Sequence, residues 1–176
     1  MHRTLLPLAL AASLAGCTTA SPPAAPGGAA LTPGQKESIG RRIWANECGG
    51  TIDGLTSWNE GENFASLGIG HTLWFPAGVD ERFEETFPKL VRFIRARGVA
   101  VPAWAVPPAD CPWPDRAAFL RDFRSPRMNE LRRWLAATIG AQTDYLIARQ
   151  QAALPKMLEA CPAADRARVH GRFQDL

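Results

Sequence analysis

The sequence is poor in the features that mark most ligand classes. Lysine and arginine make up 20 of 176 residues, for a formal net charge of +3. They form no dense stripe of the kind a phosphate backbone requires, so nucleic acid is not suggested as a partner. The four cysteines include no pair at the short spacing of a zinc site, and His71 and His170 lie far apart, so no metal is indicated. There is no Gly-x-Ser-x-Gly elbow and no Walker loop. SLGIG carries two of the three glycines of a dinucleotide fingerprint but lacks the preceding strand of a βαβ unit. No internal repeat is present, no cofactor is implied, and the longest apolar run, LLPLALAASLAG, is too short to cross a bilayer as a helix.

That run follows Arg3 and ends in Leu14, Ala15, Gly16 and Cys17, which reads as an export signal resembling the lipobox of bacterial lipoproteins. The resemblance implies cleavage before Cys17 and acylation of the new N-terminus. Residues 1–16 are then a signal peptide. Residues 17–32, rich in Ala, Pro, Gly and Thr, are a flexible tether that cannot bury enough apolar surface to order itself. Residues 33–176 form one domain of ordinary size. The expected location is the cell envelope, lipid-anchored and facing the periplasm, as at the outer membrane, with no spanning helix. With Cys17 set aside, Cys48, Cys111 and Cys161 remain. An oxidising compartment permits one internal disulfide among them, with three possible pairings.

Within the domain, Thr32, Pro33 and Gln35 form a capping box with proline at the first helical position. The helix they start runs to about Cys48, where Gly49 and Gly50 supply a left-handed end. Counting back from Glu47 in steps of three and four gives an apolar stripe of Trp44, Ile43, Gly40 and Ile39, which sets Glu47 at the end of the buried face. From Thr51 to about Gly78 glycines recur and helical spacing is lost, as in a small antiparallel sheet or hairpin. Helical spacing returns with Phe83, Phe87, Leu90, Val91 and Ile94, Pro88 starting the helix and Gly98 closing it. The proline-rich stretch 99–114 carries Trp104 and Trp113 and needs a surface to pack on. Further helices are expected over about 115–124, from Ser125 and Pro126 through Ile139, over 142–153 and 155–160, and from Ala163 onward. The fold class is therefore α+β, predominantly helical, with a small β element after the first helix.

Glu47 is the first chemical candidate. A carboxylate buried beside Ile43 and Trp44 at the negative end of a helix has its charged form disfavoured twice, which suits a general acid. The second candidate group is the stretch NEGENFASLGIGH, residues 59–71. Its Glu60 and Glu62 lie where a hairpin folds back toward the end of the first helix, and glycosidic cleavage uses one protonated carboxyl with one carboxylate. Asp53 and Glu62 compete with Glu60 for that second role. Trp58 is the aromatic best placed to offer a face to a sugar ring.

These residues resemble the phage-type lysozymes of the lysozyme superfamily. Those enzymes place a catalytic glutamate at the end of an early helix, then in a hairpin an acidic residue, five positions, a threonine and IGIGH. This chain has Glu47, then Glu60, five positions, Ser66, and Leu67 to His71. Glutamate stands for the family's aspartate, serine for its threonine, and the gap from Glu47 to Glu60 is longer by several residues. The resemblance implies a lysozyme-like fold, Glu47 as general acid, Glu60 polarising the attacking water and Ser66 positioning it. Gly68 and Gly70 would let backbone pass close to the cleft wall, and His71 would be a buried structural partner. It covers roughly residues 39 to 71.

The expected activity is a muramidase, a glycosidase cleaving the β-1,4 bond between N-acetylmuramic acid and N-acetylglucosamine in peptidoglycan. The expected partners are peptidoglycan and, through the lipid, a membrane; the chain is expected to be a monomer. Two rivals stand beside it. A lytic transglycosylase would use Glu47 alone, and a non-catalytic envelope lipoprotein would bind glycan or a partner protein.

Overall fold

The computed structural model describes residues 31–174. The expected export signal, the lipidation site at Cys17 and the tether up to residue 30 lie outside the described residues. The described residues form one compact unit.

Helix α1 (Pro33–Cys48) begins as its sequence predicts. The Thr32 hydroxyl accepts from the Gln35 N–H at 3.3 Å, and the Gln35 amide oxygen accepts from the Thr32 N–H at 2.8 Å. Such a cap contributes about 1 kcal/mol. Gly49 at φ 62° ends the helix in the left-handed conformation. A short 3-10 turn (Asp53–Leu55) leads into strands β1 (Thr56–Ser57), β2 (Ala65–Leu67) and β3 (Thr72–Trp74). They form an antiparallel sheet in sequence order, with Ser66 opposite Ser57 on one side and Leu73 on the other.

Helices α2 (Phe87–Arg95), α3 (Arg116–Arg121), α4 (Pro126–Ala137), α5 (Ile139–Ala160) and α6 (Arg166–Gln174) follow. The described chain is thus mixed and mostly helical, with one small sheet. Pro88 sits in the first turn of α2 as expected, but Phe83 lies outside the helix and is 47% exposed. The helix expected to run through Ile139 ends at Ala137, and α5 starts at Ile139. The two helices expected on either side of Leu154 are one, because α5 runs on through Pro155. Gln151 and Pro155 are both exposed, so the carbonyl that proline cannot bond lies on a solvated stretch of the helix, where the lost bond costs least.

The core is aromatic. Trp74 packs against Phe87 at 4.6 Å, Trp104 at 5.9 Å and Trp113 at 6.4 Å, and Trp113 meets Phe119 at 5.2 Å between ring centroids. The proline-rich stretch therefore finds its packing surface on β3. Buried indoles need a polar partner, and each has one: Trp74 donates to the Ala109 carbonyl, Trp113 to the Asp122 carboxylate and Trp134 to the Ala100 carbonyl.

Two close approaches fix α1 and the sheet to α5. Gly40 lies flush against Ile139 and Thr143, beside the Lys36–Asp144 ion pair at 2.7 Å. The β2–β3 turn sits on Gln142, whose amide oxygen accepts the Ile69 N–H at 3.0 Å. At Gly68, φ is 75° and an added Cβ would overlap that amide oxygen, whereas Gly61 has φ 80° and open space around it.

Comparing the two glycines separates backbone strain from lost contact. Gly61→Ala should cost about 1 kcal/mol, the strain of a left-handed non-glycine residue. Gly68→Ala should cost about 1–2 kcal/mol more, because the Gln142 bond must also move. Thermal unfolding of the two variants checks this, the Gly68 variant melting the lower by several degrees.

Candidate active site

The end of α1 is held by a dense set of local bonds. The Trp44 indole donates to the Thr51 carbonyl at 2.9 Å, the Gly50 N–H to the Trp44 carbonyl, and the Thr51 hydroxyl to the Cys48 carbonyl. The Cys48 side chain then reaches the β2–β3 turn, with its thiol 3.6 Å from the Gly68 carbonyl and 3.9 Å from Nε2 of His71. His71 is half-buried and holds φ 44°, unusual for a residue with a side chain. The last turn of α1 and the LGIGH turn are therefore in contact through Cys48 and His71.

Glu47 is one residue from that contact, and it is exposed. This corrects the expectation of a carboxyl buried against Ile43 and Trp44. Those two side chains are half-buried, and Cys48 takes the inward position at the helix end. Gly40 and Lys36 make the crossing with α5 earlier in the helix, so the apolar stripe loses its covering before Glu47 is reached.

Glu60 is exposed in the connection between β1 and β2. Glu62, half-buried in the same connection, accepts the Asn59 amide at 3.0 Å through its carboxylate and the Trp58 indole at 2.7 Å through its carbonyl. Ser66 is 3% exposed in β2, and its carbonyl accepts the Ser57 hydroxyl. Trp58 is 5% exposed, packed 5.8 Å from Phe119, so it is a wall and not an open stacking face. It joins Glu62, Asn63, Asp80, Glu81 and Arg116 around a cavity of about 320 Å³. Trp44, one turn before Glu47, lines a separate groove of about 420 Å³ with Glu37, Arg41 and Ile139. Gly68 and Gly70 approach Gln142 and Leu146 of α5; their small size serves the docking of the turn onto that helix, not the wall of a cleft.

Asp53, the competing carboxylate, is tied up. It pairs with Arg124 at 2.7 Å and with Arg132 at 3.1 Å. Arg132 is 1% exposed; it donates to the Thr56 hydroxyl and the Phe123 carbonyl and lies 3.9 Å above the Phe123 ring. Burial holds its guanidinium below the usual arginine range. Sequence reasoning passed over Arg132 and Gln142. The signal for Arg132 was its position, four residues after Met128 and three before Leu135, where the α4 stripe calls for an apolar residue.

Cys48, Cys111 and Cys161 are all free thiols, so none of the three permitted pairings is formed. Burial, and then the charge of Glu47, pushes Cys48 up to about 11. Burial, with the charges of Glu85 and Asp110 adding to it, pushes Cys111 up to about 12, against a backbone bond from Trp113. Both stay protonated at neutral pH, which makes Cys48 a docking group and no nucleophile.

Asp53→Asn should lose about 2–4 kcal/mol of stability, because it leaves the Arg132 charge buried without a counter-ion; chemical denaturation measures this. The two raised thiols give a pH dependence of definite sign. Their contribution is intact below the unfolded thiol value near 9 and is lost as pH rises toward 11 and 12. Stability should fall by roughly 1 kcal/mol per thiol by pH 10. A Cys48→Ala/Cys111→Ala variant should show a flatter slope from pH 8.5 to 10.5 in the same denaturation series.

No protein-family model matches the chain, and no curated protein or solved structure matches it significantly.

Proposed function

We propose that the domain is a peptidoglycan-cleaving glycosidase of the lysozyme type, anchored to the envelope through Cys17, with Glu47 as its acid. The observation that supports this reading is the Cys48 contact with Gly68 and His71, one residue along the helix from Glu47. In the free domain Glu47 faces water. A glycan strand laid over it would remove that water, so desolvation of the acid comes with substrate binding and is not built into the fold.

The same geometry favours one second reading. Asp53 is neutralised by two arginines, and Glu60 is exposed in its loop, so no second carboxylate is held ready next to Glu47 by a bond among the described residues. A lytic transglycosylase needs none: Glu47 protonates the leaving oxygen, then takes the proton of the sugar's own hydroxyl as that hydroxyl displaces the bond. The non-catalytic alternative keeps the hairpin and loses the dependence on Glu47.

Digestion of purified peptidoglycan, with product analysis by mass spectrometry, tests the reading. Glu47→Gln should lower the rate about 10²- to 10⁴-fold. Reducing ends that disappear in Glu60→Gln identify a hydrolase, and 1,6-anhydro ends that survive it identify a transglycosylase. Activity unchanged in Glu47→Gln removes Glu47 from the mechanism, and binding without cleavage by the unaltered chain supports the non-catalytic alternative.

A further inference from the structure

The last part of α5 and helix α6 carry a feature that glycan cleavage does not use. Met157 of α5 and Val169 and Phe173 of α6 line an apolar cavity of about 370 Å³, with Arg168 and Arg172 at its rim. Met157 is 48% exposed. Helix α6, RARVHGRFQ, holds three arginines and no acidic residue.

Two of those arginines, Arg166 and Arg168, stand in the first turn, where the positive end of the helix dipole disfavours a cation. Arg166 donates to the Cys161 carbonyl at 3.2 Å, and Arg168 pairs with Asp165 at 2.9 Å. Neither contact touches the core. The arginines are exposed and are set against the local helix electrostatics beside an apolar hollow that stands open among the described residues.

We infer that this corner docks on an anionic phospholipid surface, the arginines meeting lipid phosphates while Met157, Val169 and Phe173 enter the boundary between headgroups and acyl chains. The choice of occupant rests on charge complementarity and on reach. A surface that binds through arginines around an apolar centre must be anionic outside and greasy just beneath, which describes a bilayer. The reach comes from the lipoprotein reading of Cys17. Only 14 residues separate Cys17 from Leu31 counting Cys17 itself, a length of chain that reaches at most about 50 Å, so on that reading the domain cannot leave the neighbourhood of the membrane that holds the acyl chains. The corner then fixes which face of the domain meets the bilayer.

The test uses the chain from residue 17 carrying Cys17→Ser, so that no acyl group contributes and a failure of the lipoprotein reading cannot be mistaken for a failure of this one. Co-sedimentation with phosphatidylglycerol vesicles should show binding at least tenfold tighter than with pure phosphatidylcholine. It should weaken more than tenfold in R166Q/R168Q/R172Q, about fivefold per charge at low salt, and recover in R166K/R168K/R172K. Val169→Asp should weaken it with the arginines intact. Unchanged circular dichroism of these surface variants verifies folding. Three results overturn the inference: equal binding to neutral vesicles, no loss in the glutamine variant, or sedimentation with peptidoglycan but not with vesicles.

Discussion

The side chain of Gln142 is the interaction on which the arrangement of the domain depends. It is buried at the start of α5, accepts from the Ile69 N–H, and donates to the Leu135 carbonyl at 2.6 Å and the Thr138 hydroxyl at 3.1 Å. One amide thus ties the β2–β3 turn to the last turn of α4 and the junction with α5. A buried primary amide is costly when half-satisfied and specific when satisfied. Glycine at position 68 is what lets the turn come close enough for the bond to form. With the turn held there, its carbonyl and His71 meet Cys48, and the end of α1 is fixed in turn.

Around that tie the polar and apolar parts of the molecule divide the work. The aromatic cluster of Trp74, Phe87, Trp104, Trp113 and Phe119 packs with the aliphatic side chains of Leu55, Leu67, Leu90, Ile94 and Leu131 in one core. Arg132 and Asp53 hold the 3-10 turn against α4, by an ion pair whose buried member is satisfied on three of its sides and leaves Nη2 without a partner among the described residues. The chemistry proposed here needs little from this core beyond rigidity. It needs Glu47 on the last turn of a helix that cannot shift relative to the LGIGH turn, and the contact through Cys48 provides that.

Much of the backbone was legible in the sequence, because its signals are local. Thr32, Pro33 and Gln35 announced the start of α1, Gly49 its end, Pro88 the first turn of α2 and Ser125 the cap of α4, each through dihedral preference or a bond three residues long. Burial was less legible. The 3.6-residue period placed Glu47 on the covered face, but coverage depends on how far α5 follows α1, which no local pattern encodes. Trp58 illustrates the same limit, since its neighbour Phe119 is 61 positions away. Pro155 misled because its local cost, about 3 kcal/mol in a helix interior, competes with the packing of α5 against α1, α2 and α6, which no local pattern encodes. Of the candidate site, the Glu47 region and the glycine turn were found from sequence, while the tie that joins the turn to α5 through Gln142 was not, an amide in a helix being unremarkable until its partner is known.

Under the proposed function, the last turn of α1 and the turn it docks on form one glycan-binding surface around Glu47. Amide chemical-shift mapping of the soluble domain with a peptidoglycan tetrasaccharide tests it most directly. The claim predicts perturbations at Glu47, Cys48 and residues 65–71 that grow together with one affinity. Perturbations confined to other surfaces, with the amides of Glu47 and the turn unmoved at saturation, would contradict it.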